Sequence, residues 1–227
     1  QNHTLQAINQ SLEEFAFVAS HDLKEPLRMI GSYTTLLERR YADKLDDDGR
    51  VFIGFVKEAV NRLQKLLTDI FDYSVISKGK QLKIEEVGLN QLLKEVTNSI
   101  FAEIEETGTK LIIDDLPTIN ANRSQMSQLF QNLITNAIKF RKIDQPSIIE
   151  IGGNSDIGGD TFWVKDNGIG ISPEYKHKIF EAFKRLNTRD KYEGNGIGLA
   201  ICNKIIEHHK GKIWVESDEG NGCTFFF

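Results

Sequence analysis

Residues 5–19 read LQAINQSLEEFAFVA, and their apolar side chains recur at alternating steps of three and four residues. The repeating positions are Leu5, Ile8, Leu12, Phe15 and Ala19. This spacing places one narrow apolar stripe along a helix, which is the pattern of a coiled-coil seam. The stripe continues to Leu37 with one shift of phase. We therefore predict a long first helix that needs a partner helix.

A second helix is predicted after the acidic turn Asp46-Asp47-Asp48-Gly49, whose carboxylates suit a helix N-terminus. It carries two apolar stripes, one starting at Phe52 and one at Val56, which together are too wide for a single partner helix. Two long helices joined by a short turn predict an antiparallel hairpin. We expect two hairpins to close a four-helix bundle in a homodimer.

The pattern changes near Ser77-Lys78-Gly79-Lys80, so we predict a helical domain at residues 1–78 and a second domain at residues 79–227. Strands are predicted at 82–87, 111–114, 148–151, 162–164, 212–216 and 223–227, and helices at 89–106, at 124–140 and after Gly196. These elements do not alternate regularly. The fold class expected for the second domain is a two-layer α/β sandwich with a mixed sheet.

The composition excludes several classes of protein. With 227 residues, of which 40% are hydrophobic, the chain can bury a core and is not disordered. Its 28 basic and 33 acidic residues give a net charge of −5, so no overall attraction to nucleic acid is expected and any phosphate must be held locally.

The expected location is cytoplasmic. Cys202 and Cys223 are too few for a disulfide framework and suit core thiols in a reducing compartment. No apolar run approaches the roughly 20 residues of a membrane span, and no signal peptide is visible. Because the chain begins at Gln1, we expect it to be part of a longer protein whose other segments decide any membrane attachment.

His21 is the first candidate for chemistry. It lies two positions from both Ala19 and Leu23 of the seam, which points it about 160° away from the stripe and leaves the imidazole exposed. Asp22 can accept a hydrogen bond from one ring nitrogen and leave the other as a nucleophile. Pro26 is expected to bend the helix one turn further on. The alternative is a surface histidine without a role.

Asn132 and Asn136 lie four residues apart on one predicted helix. Their amide oxygens can approach a cation shared with phosphate, which suits nucleotide-bound Mg²⁺, although core hydrogen bonds are an equal alternative. Lys139, one turn further, can oppose phosphate charge or remain a surface lysine.

Asp166 follows an apolar strand and precedes a turn containing Gly168 and Gly170. A carboxylate only accepts hydrogen bonds, so it suits the exocyclic amine of adenine and rejects the carbonyl of guanine. The two glycines permit positive φ and a close approach of the backbone to the base, or form only a tight turn.

Gly194, Gly196 and Gly198 precede a helix starting at Leu199, where backbone N–H groups can meet phosphates. The polar stretch 185–194 is interpreted as a lid, with a solvated loop as the alternative. His177, His208 and His209 are expected to be surface residues.

Five segments resemble the motifs of two-component sensor histidine kinases. Residues 17–28 (FVASHDLKEPLR) resemble the phosphoacceptor motif, 131–140 the asparagine motif, 166–171 the first glycine motif, 179–183 the phenylalanine motif and 194–200 the second glycine motif. Five motifs in the family's order are far more specific than one glycine-rich loop. The lid sequence and Glu25-Pro26 resemble those of phytochrome-like and PAS-linked kinases in particular.

The resemblance implies ATP-dependent autophosphorylation of His21, which Asp22 orients and deprotonates, and transfer to an aspartate of a response-regulator receiver domain. It implies ATP and Mg²⁺ as cofactors, with Asn136 and Asn132 at the metal and Arg185 near the terminal phosphates. The implied ATP-binding residues are Asn132, Asn136, Lys139, Asp166, Gly168, Gly170, Arg185, Gly194, Gly196, Gly198 and Leu199.

Two positions depart from the family pattern. Glu25 stands where many relatives have the threonine or asparagine that positions water for dephosphorylation of the regulator, and Asn195 stands where close relatives often have threonine. Three alternatives stay open. They are a conformational-clamp ATPase similar to gyrase and chaperone ATPases, a nucleotide-binding dimeric scaffold without kinase activity, and a truncated chain with altered activity.

Overall fold

The computed structural model describes the backbone of residues 2–77, 83–156, 159–184 and 195–227, and the side chains of these ranges except residues 2–21, 77, 155 and 156. The chain divides into two compact units between residues 78 and 79. Each unit is described by itself.

The first unit is a helical hairpin of α1 (Asn2–Tyr41) and α2 (Asp47–Ser77). Pro26 lies inside α1, and the helix continues beyond it. At the start of α2, Asp46 Oδ1 accepts a hydrogen bond from the Gly49 N–H at 2.8 Å, which satisfies one of the donors that a helix N-terminus leaves unpaired. The acidic turn therefore starts the second helix, as the sequence predicts.

Contacts across the hairpin show that its helices are antiparallel. Near the turn, Lys57 Nζ donates to Glu38 Oε2 at 2.6 Å. Far from the turn, the Lys24 ammonium lies 4.3 Å from the centroid of the Phe71 ring. The residue number rises along one helix as it falls along the other.

The hairpin buries only a narrow apolar seam, which includes Val60, Leu67 and Ile76. Large apolar side chains on both helices remain exposed, among them Tyr33 at 61% and Phe55 at 64%. Others are Leu23, Met29, Ile30, Leu36, Leu37, Phe52 and Leu63. One hairpin therefore leaves much of its apolar surface uncovered.

None of the helices in the described residues has an apolar stretch long enough to cross a membrane.

The second unit combines helices with a mixed sheet, as predicted. Its described α-helices and β-strands are β1 (Glu85–Gly88), α3 (Leu89–Ser99), α4 (Phe101–Thr107), β2 (Lys110–Ile113), β3 (Thr118–Ala121), α5 (Arg123–Lys139), β4 (Ile148–Asp156), β5 (Gly159–Asp166), α6 (Gly198–His208), β6 (Trp214–Ser217) and β7 (Cys223–Phe226). Among the described strands, five form one sheet in the order β2-β4-β5-β7-β6, and β1 pairs with β3 separately. The β2–β4 pair is parallel and the other pairs are antiparallel.

Helix α5 lies at the centre of the core. Along β5, Phe162 and Val164 are buried whereas Lys165 is exposed, so one face of the strand points at the helices. Phe130 of α5 meets the ring of Phe227 edge to face, with centroids 5.5 Å apart. Side chains that are almost completely buried include Leu89, Leu93, Leu129, Leu133, Ile134, Ile149, Ile151, Ile201 and Ile205.

Two elements differ from the sequence prediction. The helix expected at 89–106 is broken at Ile100, whose φ of −113° and ψ of 19° end α3 while its side chain stays buried. Strand β3 was not anticipated, because TINA alternates polar and apolar residues over only four positions, which is too short a run to identify a strand. β3 delivers the chain to Asn122, whose Oδ1 accepts from the Gln125 N–H at 3.0 Å and caps α5.

Helix α6 ends at His208, and its C-cap His209 begins a Schellman-type turn. The Gly211 N–H donates to Ile206 O at 2.9 Å, and the Lys210 N–H donates to Glu207 O at 3.0 Å. Lys210 has a φ of +61°, a left-handed conformation that is unfavourable for residues with a Cβ atom. The position is one that glycine normally occupies.

Replacing Lys210 with glycine is expected to stabilise the second unit by about 1 kcal/mol, because the strain of a left-handed lysine disappears. The free energies of unfolding of Lys210→Gly and Lys212→Gly are measured by urea denaturation and compared with that of the parent chain. Since Lys212 has no positive φ, its replacement should not stabilise the protein. A lower stability of Lys210→Gly than of the parent chain would contradict the interpretation.

Candidate functional site

Asn132 and Asn136 share one face of α5 and are half-buried. Asn132 Nδ2 donates to Gly198 O at 3.3 Å. A Cβ at Gly198 would lie 3.8 Å from Asn132 Cγ and 4.0 Å from Asn136 Nδ2. The structure thus brings both amides against the first residue of α6, which the sequence places some 60 positions away.

Asp166 is the last residue of β5, and its side chain is buried, with only 9% of the residue exposed. Its Oδ1 accepts from the Gly168 N–H at 2.8 Å and from the Cys223 N–H at 3.3 Å. Burial raises the pKa of Asp166 to about 6, although these two hydrogen bonds lower it. The carboxyl group is therefore held in a fixed position by these two hydrogen bonds, and its pKa lies close to neutral pH.

The turn after Asp166 contacts the C-terminal end of α5. The Ile169 N–H donates to Phe140 O at 3.0 Å, and a Cβ at Gly168 would lie only 2.5 Å from the same oxygen. Gly168 does not use the positive φ that glycine permits, so glycine is required there by lack of space instead. Gly170 does have one, at +73°, and a Cβ there would lie 2.1 Å from Asp218 O.

Ser217, at the end of β6, holds this turn from the other side. Its buried hydroxyl donates to Gly222 O at 2.6 Å and accepts from the Ile171 N–H at 2.8 Å. Gly222 precedes Cys223, whose N–H contacts Asp166. Sequence reasoning missed Ser217, because a serine in a closing strand carries no signal of its own.

Asn167 was quoted in a motif but given no role. Its Oδ1 accepts from the Ile148 N–H and its Nδ2 donates to Pro146 O, both at 2.9 Å. The side chain therefore ties the Asp166 turn to the start of β4.

The second glycine segment is described from residue 195 onward. Gly196 has a φ of +70°, and its carbonyl accepts from the Phe183 N–H at 3.0 Å. Gly198 and Leu199 form the first turn of α6, where a helix offers N–H groups that have no partner within the helix. The predicted lid, residues 185–194, lies entirely outside the described residues, and Arg185 and Gly194 with it.

Lys139 and the phenylalanine segment lie near this region. Lys139 Nζ is 4.4 Å from the centroid of the Phe140 ring. Phe180 packs edge to face on Phe225, with centroids 6.4 Å apart, whereas Phe183 is exposed and has a φ of +65°. Packing therefore accounts for Phe180 and not for Phe183.

The groups gather along the C-terminal half of α5. The amides of Asn132 and Asn136 meet α6, and one turn later Phe140 meets the glycine turn that follows Asp166. No cluster of three or more His, Cys, Asp or Glu side chains suited to a metal occurs in the described part of the chain. Amide oxygens fit a hard cation whose other ligands are phosphate oxygens and water.

His21 and Asp22 lie in the other unit, on α1. The structure describes the backbone of His21 and not its side chain, so the predicted exposure of the imidazole lies outside the described residues. Asp22 is exposed. Nothing in the structure places either residue relative to Asn132 or Asp166.

Comparisons with known proteins cover both units. Residues 11–79 match the model of the His Kinase A (phospho-acceptor) domain, and residues 121–227 match that of the histidine kinase-, DNA gyrase B- and HSP90-like ATPases. The solved catalytic domain of histidine kinase ThkA is 31% identical, with a TM-score of 0.56, over 64% of this chain and 94% of that one. The chain belongs to the histidine kinase family.

Two further relatives extend the likeness to nearly the whole chain. A structure of full-length ShkA in complex with AMPPNP is 27% identical, with a TM-score of 0.77, over 94% of this chain and 45% of that chain. Cyanobacterial phytochrome A of Nostoc sp. is 46% identical over 99% of this chain and 29% of its own length. The chain thus spans about three-tenths of such curated relatives.

Asp166→Asn is expected to change the pH dependence of stability. Because burial raises the pKa of Asp166 to about 6, the folded kinase holds this proton between roughly pH 4 and pH 6 while the unfolded chain releases it. The stability of the parent chain relative to Asp166→Asn should therefore fall as pH rises from 4 to 7, by at most about 3 kcal/mol.

Unfolding curves of both proteins across this pH range provide the measurement. The control is Asp218→Asn, which removes an exposed carboxylate from the same unit. A stability difference between Asp166→Asn and the parent that stays constant with pH would show that the carboxyl group is not held in this way.

Proposed function

We propose that this chain uses ATP to phosphorylate His21 and then passes the phosphoryl group to an aspartate of a response-regulator receiver domain. Two observations carry the proposal: the amide pair of α5 faces the N-terminus of α6, and the turn that follows the buried Asp166 acceptor contacts the end of the same helix α5. Membership of the histidine kinase family, with a phospho-acceptor domain at residues 11–79, supplies the acceptor helix.

In this proposal, residues 79–227 bind ATP. The oxygens of Asp166 accept from the exocyclic amine of adenine, and the turn at Gly168 and Gly170 lies against the base. The α6 N-terminus at Gly196, Gly198 and Leu199 receives phosphate, and Lys139 adds positive charge. The solved complex of the relative ShkA with AMPPNP supports a nucleotide here. Arg185 and Gly194 are assigned to the phosphates from the family pattern alone.

Asn136 and Asn132 are proposed to hold Mg²⁺ through their amide oxygens. Bound ATP supplies the phosphoryl group, and the metal spreads its charge. Because Asn132 Nδ2 is already turned toward Gly198 O, its Oδ1 is the atom left to face the cation. The hydrogen bond to α6 would thus orient the ligand.

Residues 1–78 are proposed to carry the nucleophile. A neutral ring nitrogen of His21 attacks the γ-phosphorus in line, the new P–N bond forms as the bond from phosphorus to the bridging oxygen breaks, and ADP leaves. Asp22 orients the ring and takes the proton from its other nitrogen. In the second step the receiver carboxylate attacks the same phosphorus, the P–N bond breaks, and the imidazole leaves in its neutral form after taking back the proton that Asp22 accepted.

The helical unit is also proposed to form the homodimer. Exposed apolar side chains run along both helices, and a groove of about 420 Å³ opens between Pro26, Met29, Ile30, Tyr33, Thr34 and Leu37. A second hairpin would cover such a surface and complete a four-helix bundle.

The described cysteines, Cys202 and Cys223, are free thiols, in keeping with a proposed cytoplasmic location.

His21→Ala is expected to abolish protein labelling by γ-labelled ATP, since it removes the attacking nitrogen. The parent chain should carry an acid-labile and base-stable label, and His177→Ala, which alters an exposed histidine of the other unit, should keep it. Labelling that survives in His21→Ala would refute this assignment.

The same assay separates the alternatives. Release of free phosphate without labelled protein would favour a clamp ATPase, which the shared ATPase family model leaves possible. Binding of ATP with neither product would favour a dimeric scaffold.

Glu25 differs from the common family pattern and is engaged in an ion pair. Arg28 Nη2 and Nε donate to its two oxygens at 2.7 and 3.1 Å, and both side chains are exposed. The hydrogen bonds from Arg28 lower the pKa of Glu25. A carboxylate held by a guanidinium cannot present a hydroxyl or amide to water, so we propose weak phosphatase activity toward the regulator.

Glu25→Thr is expected to increase the dephosphorylation rate of the phosphorylated regulator several-fold, because threonine can position the attacking water. The rate is followed with purified regulator in the absence of ATP. Glu25→Ala is the matched control, since it frees Arg28 without adding a hydroxyl. Equal rates for the parent chain and Glu25→Thr would count against the assignment.

A further inference from the structure

His209 lies outside every family motif quoted above and was expected to be a surface residue. The structure instead shows it half-buried, with both ring nitrogens engaged. Nε2 accepts from the Asn122 backbone N–H at 3.0 Å, and Nδ1 lies 2.8 Å from Ile205 O. Because a backbone N–H can only donate, Nε2 carries no proton and Nδ1 carries one. These two hydrogen bonds therefore specify one tautomer of the ring.

The histidine is itself held rigidly. It is the C-cap of α6, and its own backbone N–H also donates to Ile205 O, at 3.2 Å. The Schellman-type turn at Lys210 and Gly211 fixes the chain immediately after it. The imidazole thus extends from a defined helix end rather than from a loose loop.

Asn122 is equally fixed on the other side of this contact. It is the N-cap of α5, where its Oδ1 accepts from the Gln125 N–H. Its Nδ2 donates to Lys83 O at 3.1 Å, which ties in the segment that enters β1. A ring anchored to the end of α6 therefore meets a backbone group anchored to the start of α5.

Another hydrogen bond between these antiparallel helices lies at the opposite end of α6. There Asn132 Nδ2 donates to Gly198 O. About 15 Å of helix separates the two contacts on each partner. Sliding α6 along α5 would break both hydrogen bonds together, so the His209 ring and the Asn132 amide define one axial register.

We propose that His209 is a positioning residue of the nucleotide site. Its ring holds the register of α6 on α5 and thereby keeps Gly198 opposite Asn132 and Asn136. This inference rests on the proposed function for the nucleotide itself, while the register it describes is a property of the protein without nucleotide.

The test compares four variants of the full chain in their affinity for Mg-ADP, measured by calorimetry well below the unfolding temperature. His209→Phe keeps a ring and removes the acceptor. His209→Gln restores an acceptor oxygen near the position of Nε2, whereas the shorter amide of His209→Asn cannot reach Asn122. His208→Phe is the matched control, because the buried Nδ1 of His208 has no hydrogen-bond partner among the described residues.

We expect His209→Phe and His209→Asn to raise the dissociation constant about tenfold, which corresponds to about 1.4 kcal/mol. His209→Gln should restore most of the affinity, and His208→Phe should match the parent chain. In nucleotide-free protein, His209→Phe should shift the amide signals of Gly198 and Asn132, and ¹⁵N spectra of the parent should show the Nδ1–H tautomer of His209.

The outcomes separate the possibilities. A lower melting temperature with an unchanged dissociation constant and unchanged Gly198 and Asn132 signals would mean a purely structural role and would overturn the proposal. If His209→Phe does not fold, His209→Asn against His209→Gln decides in the same way. If the parent chain does not bind Mg-ADP, the proposed function fails, and the signals of Gly198 and Asn132 still decide whether His209 sets the register.

Discussion

The second unit depends on one constraint, which is that the Asp166 carboxyl group must be buried and still satisfied. Two backbone N–H groups, those of Gly168 and Cys223, meet the same oxygen. Their approach leaves no room for a side chain at Gly222, where a Cβ would lie 2.0 Å from Asp166 O. A buried acceptor without such partners would cost about 1 to 3 kcal/mol. Gly168, Gly222 and Ser217 are therefore needed to accommodate the buried Asp166 carboxyl group, whether or not a ligand is bound.

Helix α5 connects this constraint to the rest of the site. Its core face buries Leu133, Ile134 and Ala137, while Asn132 and Asn136 point away from that face. Because one helix supplies both the central packing and the polar pair, the position of the amides is as well determined as the core itself. No loop is needed to hold the two asparagines, and the site is completed when α6 is positioned correctly against α5.

Sequence patterns predicted the helices and strands that have a periodic apolar pattern, and the turns that are marked by acidic residues and glycine. The seven-residue stripe gave α1, the acidic run before Gly49 gave the start of α2, and apolar runs gave most of the strands. The break at Ile100 escaped notice because the apolar pattern continues through it, and β3 because four residues carry too little periodicity. An apolar pattern shows which face of a helix or strand is buried, but it does not show which residues from distant parts of the chain come into contact.

The site shows the same division. Asp166 and the asparagines could be singled out because their residue types limit their chemistry, and the structure connects them through α5, whose last turn contacts the segment after Asp166. Ser217 and His209 could not, since their importance comes from partners 5 and 87 positions away, Gly222 and Asn122. A histidine next to another histidine at a helix end reads as solvent-exposed, and only the tertiary fold shows which of the two is engaged.

The proposed chemistry also constrains how the two units behave. One nitrogen of His21 would have to meet ATP in the first step and a receiver carboxylate in the second, and an in-line attack leaves room for one of them at a time. A permanent contact between the ATP-binding unit and His21 would block the second transfer. The division of the chain into two compact units is what this sequence of steps requires, because the acceptor helix must be left accessible after ADP has formed.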